Sequence, residues 1–317
     1  MRRGGRRWIV AAVAVLALGA GATLLAGMAR DWRETAGCDA LLAGAPRELA
    51  GGFRFTEGPA WHPDGYWVFS DIPADTIYKL GTDGRVEPFR RPSGYANGNV
   101  FDTAGNLLSA RHDRRVTRSR ADGGEEVLAA VYGGAPLNSP NDLAIAPDGA
   151  VWFTDPPYGI SGNGPARAPE EQPVRGVYRL HGERLELMTG ELRLPNGLAF
   201  SPDGRWLYVS DSADGGVYRF AVGEDGRLGA KTLFARVRPP RGEQPATDGI
   251  KVDRQGRVWV SGRRALGVFD PRGELLCRID LGQKRITNLA FGGVDGRDLL
   301  ITTGDGLLTL RLREPAL

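Results

Sequence analysis

The chain has 317 residues, enough for one large domain with a substantial core. Its formal net charge is only +3, and no Lys/Arg patch with interleaved aromatics stands out, so nothing supports nucleic-acid binding. Two cysteines, Cys38 and Cys277, exclude a disulfide scaffold and a Cys-rich zinc site.

Residues 2–7 hold four arginines, and residues 8–29 carry no charge. Positive-then-apolar is the order of an export signal, and the run is about as long as a bilayer span requires. Residues 1–29 therefore read as a signal peptide or as an uncleaved membrane anchor with its basic end in the cytoplasm. Either way the rest of the chain is expected outside the cytoplasm, periplasmic or secreted. Residues 30–47 read as a linker. In an exported chain Cys38 and Cys277 are able to pair, a point the sequence leaves open.

Strands begin near Glu48. Apolar runs at 66–70, 76–80, 151–154, 176–180, 206–210, 217–222, 258–261, 266–270 and 299–302 alternate with turn residues. A short helix is predicted near 125–132. Two loops, 156–175 and 238–247, are rich in Gly, Pro and charge. Long loops of this kind often carry function, and the first is expected over a channel mouth.

Behind these strands lies a repeat. A polar lead residue, usually followed by Gly, opens an alternating strand that ends in a turn glycine. Glu57-Gly58 leads to Pro63-Asp64-Gly65, Asn97-Gly98 to Gly105, and Asn141-Asp142 to Pro147-Asp148-Gly149. Asn196-Gly197 leads to Pro202-Asp203-Gly204, Asp248-Gly249 to Gly256, and a looser copy runs from Thr287 to Asp295-Gly296. Six copies at spacings of 40, 44, 55, 52 and 40 predict an all-β, six-bladed β-propeller over residues 48–312, with four strands per blade.

The first strand of a propeller blade lines the central channel, so the six lead residues are predicted to form a ring: Glu57, Asn97, Asn141, Asn196, Asp248 and Thr287. Asn-Gly and Asp-Gly favour turns by themselves, but that does not account for Glu57 in the equivalent place. Carboxylate and amide oxygens without Cys or ring His suit a hard divalent cation, Ca²⁺ first, with Mg²⁺, Mn²⁺ or Zn²⁺ as alternatives. Two carboxylates close together on the axis would otherwise repel each other and raise a pKa. Glu57 and Asp248 would neutralise the charge of such an ion, and neutral Asn amides of the ring would complete its shell. Asn97, His112, Asn141 and Tyr158 are the candidate substrate contacts. Asp71, Asp155 and Asp211 end second strands and are expected to cap backbone amides of the following turn. Trp61, Trp67, Trp152, Trp206 and Trp259 are expected to pack blade against blade.

Taken together, Phe55-Thr56-Glu57-Gly58-Pro59-Ala60-Trp61, Ser139-Pro140-Asn141-Asp142, Phe153-Thr154-Asp155-Pro156-Pro157-Tyr158-Gly159, Pro195-Asn196-Gly197-Leu198 and Asp248-Gly249 give the chain a family resemblance. Over about residues 48–312 it resembles the senescence-marker/gluconolactonase family, also called regucalcin-like proteins. The resemblance implies a six-bladed propeller with one divalent metal in the channel and hydrolysis of sugar lactones or related esters. It implies Glu57, Asn196 and Asp248 as metal ligands, Asn141 as a fourth ligand or substrate contact, and Asp248 also as the base. Two departures bear on substrate choice. Bacterial relatives often carry Glu-His-Gly before a basic pair where this chain has Ala110-Arg111-His112-Asp113-Arg114-Arg115, and vertebrate-type members have Arg where Ser139 stands. The function expected is that of an exported metal-dependent lactonase, with the metal polarising the lactone carbonyl and acidifying a water. The alternatives are a non-catalytic calcium-binding propeller for protein interaction and a paraoxonase-like or strictosidine-synthase-like propeller enzyme. No Gly-x-Ser-x-Gly elbow is present, which disfavours a serine hydrolase.

Overall fold

A computed structural model describes residues 33–34, 37–239, 242–282 and 284–317. Its strands form six antiparallel blades, taken in chain order, and one two-stranded ribbon, Val131–Tyr132 with Ala135–Pro136. Blade 1 is Thr56–His62, Tyr66–Asp71, Thr76–Gly81 and Val86–Arg90. Blade 2 is Ala96–Phe101, Leu107–Arg111, Arg115–Ser119 and Glu125–Ala129. Blade 3 is Leu143–Ile145, Val151–Thr154, Val177–His181 and Arg184–Thr189. Blade 4 is Pro195–Phe200, Trp206–Asp211, Gly216–Ala221 and Thr232–Arg236. Blade 5 is Thr247–Val252, Val258–Gly262, Ala265–Phe269 and Leu275–Asp280. Blade 6 takes Ile286–Gly292, Asp298–Thr303 and Gly306–Arg311 from the C-terminal end, and its outer strand, Arg47–Gly51, from the N-terminal side.

The first strand of each blade touches the first strands of both neighbours, and blade 6 touches blade 1. That closes the ring as a six-bladed β-propeller. Middle strands lie between two blades and are buried on both faces, as in Val258–Gly262 and Ala265–Phe269. Outer strands face solvent on one side and alternate, as in Leu275–Asp280. The tryptophans pack across blades as predicted. Trp67 joins Ala290, Leu300 and Leu307 of blade 6. Trp152 joins Leu198, Leu207 and Val209 of blade 4. Trp259 joins Leu289, Phe291 and Leu299 of blade 6.

Two expectations are corrected here. No helix forms near 125–132. Glu125–Ala129 is the outer strand of blade 2, paired with Arg115–Ser119, because ladder pairing outweighs the helical preference of Glu, Leu and Ala. Nor does all of 30–47 hang free. Arg33–Glu34 pairs with the outer strand of blade 5, and Cys38 forms a disulfide with Cys277 of that strand, Cα atoms 4.8 Å apart. Among the described residues no helix is long and apolar enough to cross a membrane. The predicted signal or anchor at 1–29 lies outside the described residues.

Candidate active site

The lead residues are held by three devices that recur around the ring. The first is a β-bulge. The register between first and second strands shifts at Glu57/Ala60, Ala96/Asn99, Pro195/Leu198, Thr247/Ile250 and Ile286/Leu289. A bulge re-aims side chains, and here it does so at the lead residue and the one after it. The second is close approach of the strands behind the leads. A β-carbon on Gly98 would lie 2.7 Å from the Asp142 Cα, and one on Gly197 would lie 2.6 Å from the Ile250 nitrogen. Only glycine fits there. The two blades with a side chain at this position, Asp142 and Asn288, fill the axis beneath the ring.

The third device is a hydroxyl from the preceding blade. Ser70 donates to the Asn97 carbonyl (2.9 Å), Thr154 to that of Asn196 (2.7 Å), Ser210 to that of Asp248 (2.5 Å) and Ser261 to that of Thr287 (2.8 Å). The aspartates that follow three such strands cap backbone amides, and Asp211 does so in the following turn as expected, at the Ala213 amide (3.1 Å). All three reach back to the segment entering the first strand of their own blade. Asp71 accepts from the Arg54 and Phe55 amides, Asp155 from those of Asn138 and Ser139, and Asp211 from those of Arg193 and Leu194. Each pair lies just upstream of a lead residue, so the caps fix where Glu57, Asn141 and Asn196 enter the ring.

A cavity of about 320 Å³ opens on this face and is lined by five of the six leads, Glu57, Asn97, Asn141, Asn196 and Asp248, together with His112 and Tyr158. Thr287 is absent from its wall. The Thr287 hydroxyl is spent on Thr56 O (2.7 Å) and Thr302 Oγ1 (2.8 Å), and its side chain is fully buried. Asn288 reaches the ring instead, donating to Glu57 Oε2 (3.0 Å) and to Asp142 Oδ2 (3.3 Å). Lys251 Nζ is 3.6 Å from the same Asp142 oxygen.

Glu57 is buried, and Asp248 beside it is half-buried. Burial, together with the negative charge of Asp248 and Asp142, holds Glu57 well above the usual carboxylate range. Burial also raises Asp248, helped by Asp142 and opposed by Arg285 and a hydrogen bond from Asn196. Asn196 donates to Ser212 Oγ (3.0 Å), and burial pushes the phenol of Tyr158, on the same cavity wall, above its ordinary pKa.

His112 is buried, and burial pushes its imidazole down to about 4, so it is neutral near pH 7. Its tautomer follows from its partners. Nδ1 lies 2.9 Å from the Asn163 carbonyl, which can only accept, so Nδ1 carries the proton. Nε2 then accepts from Asn97 Nδ2 at 3.1 Å. This fixes the flip of the Asn97 amide and leaves its Oδ1 buried with no partner. Asn163 lies at the end of the Gly159–Asn163 turn, so the first part of the 156–175 loop forms cavity wall. Ala246 and Thr247 bring the end of the second loop to the same cavity.

The donor set can hold a hard cation. It offers two neighbouring carboxylates, with Glu57 raised by burial and by the charge of Asp248, together with amide oxygens and one unsatisfied buried oxygen, Asn97 Oδ1. Among the described residues no group of three or more His, Cys, Asp and Glu side chains is arranged for a metal, so the amides would have to complete the shell. Sequence reasoning missed Asn288 and Asp142, although both stood out as the non-glycine residues after a lead. It also missed Phe55, Ser212, Arg263 and Arg285, for which no local pattern exists.

A family model described as the SMP-30/Gluconolactonase/LRE-like region matches residues 55–305. A gluconolactonase from Zymomonas mobilis is 33% identical over 294 residues, covering 84% of this chain and 80% of that one. A 6-deoxy-6-sulfogluconolactonase from Pseudomonas putida is 30% identical over 243 residues, covering 75% and 78%. Among solved structures, a gluconolactonase from Xanthomonas campestris superposes with a TM-score of 0.81 at 38% identity, covering 88% of this chain and 93% of the other. The match spans all six lead residues and the loops that line the cavity, and on it the chain belongs to the SMP-30/gluconolactonase/LRE-like family.

Proposed function

We propose that the protein is a lactone hydrolase acting on sugar lactones, dependent on one divalent cation, Ca²⁺ first, and working outside the cytoplasm. The observation that carries the reading is the pair of neighbouring carboxylates, buried Glu57 and half-buried Asp248, in a cavity that the ring amides Asn97, Asn141 and Asn196 also line. The named activity of the Zymomonas, Pseudomonas and Xanthomonas relatives supports the reaction class. Glu57, Asn141, Asn196 and Asp248 would hold the cation, which when bound supplies Lewis-acid polarisation of the carbonyl and acidifies water.

The rest falls to the chain's own residues. Asp248, with a pKa raised by burial, accepts the proton of the attacking water near neutral pH. The water oxygen bonds to the carbonyl carbon, the ring C–O bond breaks, and the proton passes to the departing alkoxide. The product is a hydroxy acid. Asn97 and Asn141 orient the substrate, Tyr158 closes the wall beside Asn196, and neutral His112 holds the Asn97 amide. Export is supported by the charged-then-apolar segment and by the Cys38–Cys277 disulfide, a bond that persists in oxidising compartments.

The product acid ionises, so titration at constant pH reads turnover directly. A panel of sugar lactones should be hydrolysed, with activity lost on adding chelator and restored by Ca²⁺. A calcium-binding propeller without catalysis would bind the ion and turn over none of the panel. Activity indifferent to chelator would remove the cation from the reading.

A further inference from the structure

We propose that the substrate carries an anionic group at the end remote from its lactone carbonyl, and that Arg263 recognises that group, with Arg285 fixed beside it. This rests on the lactone-hydrolase reading of the cavity. Both arginines line the cavity, and both stand at the seam between blades 5 and 6. Arg263 follows the second strand of blade 5, and its carbonyl accepts from the Ile286 amide (3.2 Å) where blade 6 begins. Blade closure therefore brings positions 263 and 285 together.

The two guanidinium groups are placed differently. Arg285 is engaged: it lies 5.1 Å from the Phe55 ring centroid, and its Nη2 is 3.8 Å from Asp248 Oδ2. That contact orients it from the rim toward the floor. Arg263 is exposed and forms no ion pair among the described residues, whereas Arg264 beside it pairs with Glu243 at 3.2 Å. The cavity is thus polarised, with carboxylates at its floor and an uncommitted guanidinium at its mouth. A lactone whose carbonyl approaches Asp248 presents its far substituent at that mouth. A guanidinium with open donors binds phosphate, sulfonate or carboxylate through paired N–H···O bonds. Apolar walls at Phe55 and Ile286 limit the water that would weaken such a contact.

The test compares glucono-δ-lactone with its 6-phosphate at low salt, in wild type, Arg263→Ala and Arg263→Lys. Wild type should prefer the phosphorylated lactone. Arg263→Ala should lower the charged-to-neutral ratio of kcat/KM by about tenfold, the worth of one hydrogen-bonded charge at a half-open site. The change should sit in KM, because the contact is remote from the reacting bond. Arg263→Lys should keep part of the preference, and 0.5 M salt should erode it. An unchanged ratio in Arg263→Ala overturns the inference.

A second arm needs no turnover. Calorimetry should show 6-phosphogluconate binding more tightly than gluconate, with the difference lost in Arg263→Ala. If neither lactone is hydrolysed, the functional reading fails, and this arm alone decides the subsite. Equal binding of the two acids overturns it. So does displacement by inorganic phosphate as effective as by 6-phosphogluconate, since that describes a general anion site and not a substrate subsite.

Discussion

Asp248 is assigned two roles, ligand and base, and they separate experimentally. Asp248→Asn keeps one oxygen and the volume but cannot take a proton. Its turnover should fall by roughly 10²- to 10⁴-fold and stay low at saturating Ca²⁺. Asn196→Ala, which removes a neutral amide held by Ser212, should be partly rescued by excess Ca²⁺. Rate against Ca²⁺ concentration for both variants gives the answer, and full rescue of Asp248→Asn would end its role as base. His112 offers a pH test. Its folded-state pKa is depressed to about 4 from the ordinary 6.5, so the folded protein disfavours the charged imidazole. As pH falls below 6.5 the unfolded chain takes up a proton that the folded chain refuses until about 4. The stability present above 6.5 is therefore lost as pH falls through that window. His112→Gln should flatten the urea midpoint between pH 6.5 and 4, and an undiminished slope would show that other groups govern it.

At the scale of the element, the blade-to-blade hydroxyls connect strand sequence to site geometry. Thr154 Oγ1 donates to the Asn196 carbonyl and stands 3.2 Å from the Asp142 amide, so one side chain fixes two inner strands. Thr154→Val keeps the shape and removes both bonds. It should cost about 1–3 kcal/mol in urea unfolding, since a buried carbonyl is left unpaired. It should also raise the Ca²⁺ concentration needed for half-maximal activity, because Asn196 loses its anchor. Thr154→Ser, which retains the hydroxyl, should restore Ca²⁺ affinity more than stability. If Thr154→Val loses stability alone, the hydroxyl ladder is packing and not site support.

For the molecule as a whole, closure is the weak point of any propeller. Blade 6 is completed by Arg47–Gly51 from the other end of the chain, so the first and last blades are zipped by one antiparallel pairing with Gly306–Arg311. The Cys38–Cys277 disulfide ties the segment before that strand to blade 5, closing a loop with a sequence separation of 239. A native disulfide is typically worth about 2–4 kcal/mol, and more for longer loops. Reduction, or Cys38→Ser, should lower the melting temperature while leaving kcat near wild type, because neither cysteine lines the cavity and both pack in the blade 5–6 core. An unchanged melting temperature under reductant would show that strand pairing alone holds the ring.

Local periodicity was sufficient for the blades. Alternating runs and Asp-Gly turns repeat with a period that only a closed ring of small sheets uses, so blade number, inner strands and five of the cavity-lining leads could be read in order along the chain. Glu57, Asn97, Asn141, Asn196 and Asp248 were legible because each opens its own repeat. Thr287 opens one too, yet only the packed structure shows its hydroxyl consumed by Thr56 and Thr302 and its place taken by Asn288. The helix predicted near 125–132 failed for a related reason: an outer strand is specified by the partner it pairs with, not by its own residues. The neutral state of His112, the orphaned Asn97 oxygen, the meeting of Cys38 with Cys277 and the approach of Arg263 to Arg285 all depend on residues distant in sequence. Repetition writes whatever is equivalent in every blade into the sequence, whereas contacts across a seam exist only once the ring has closed.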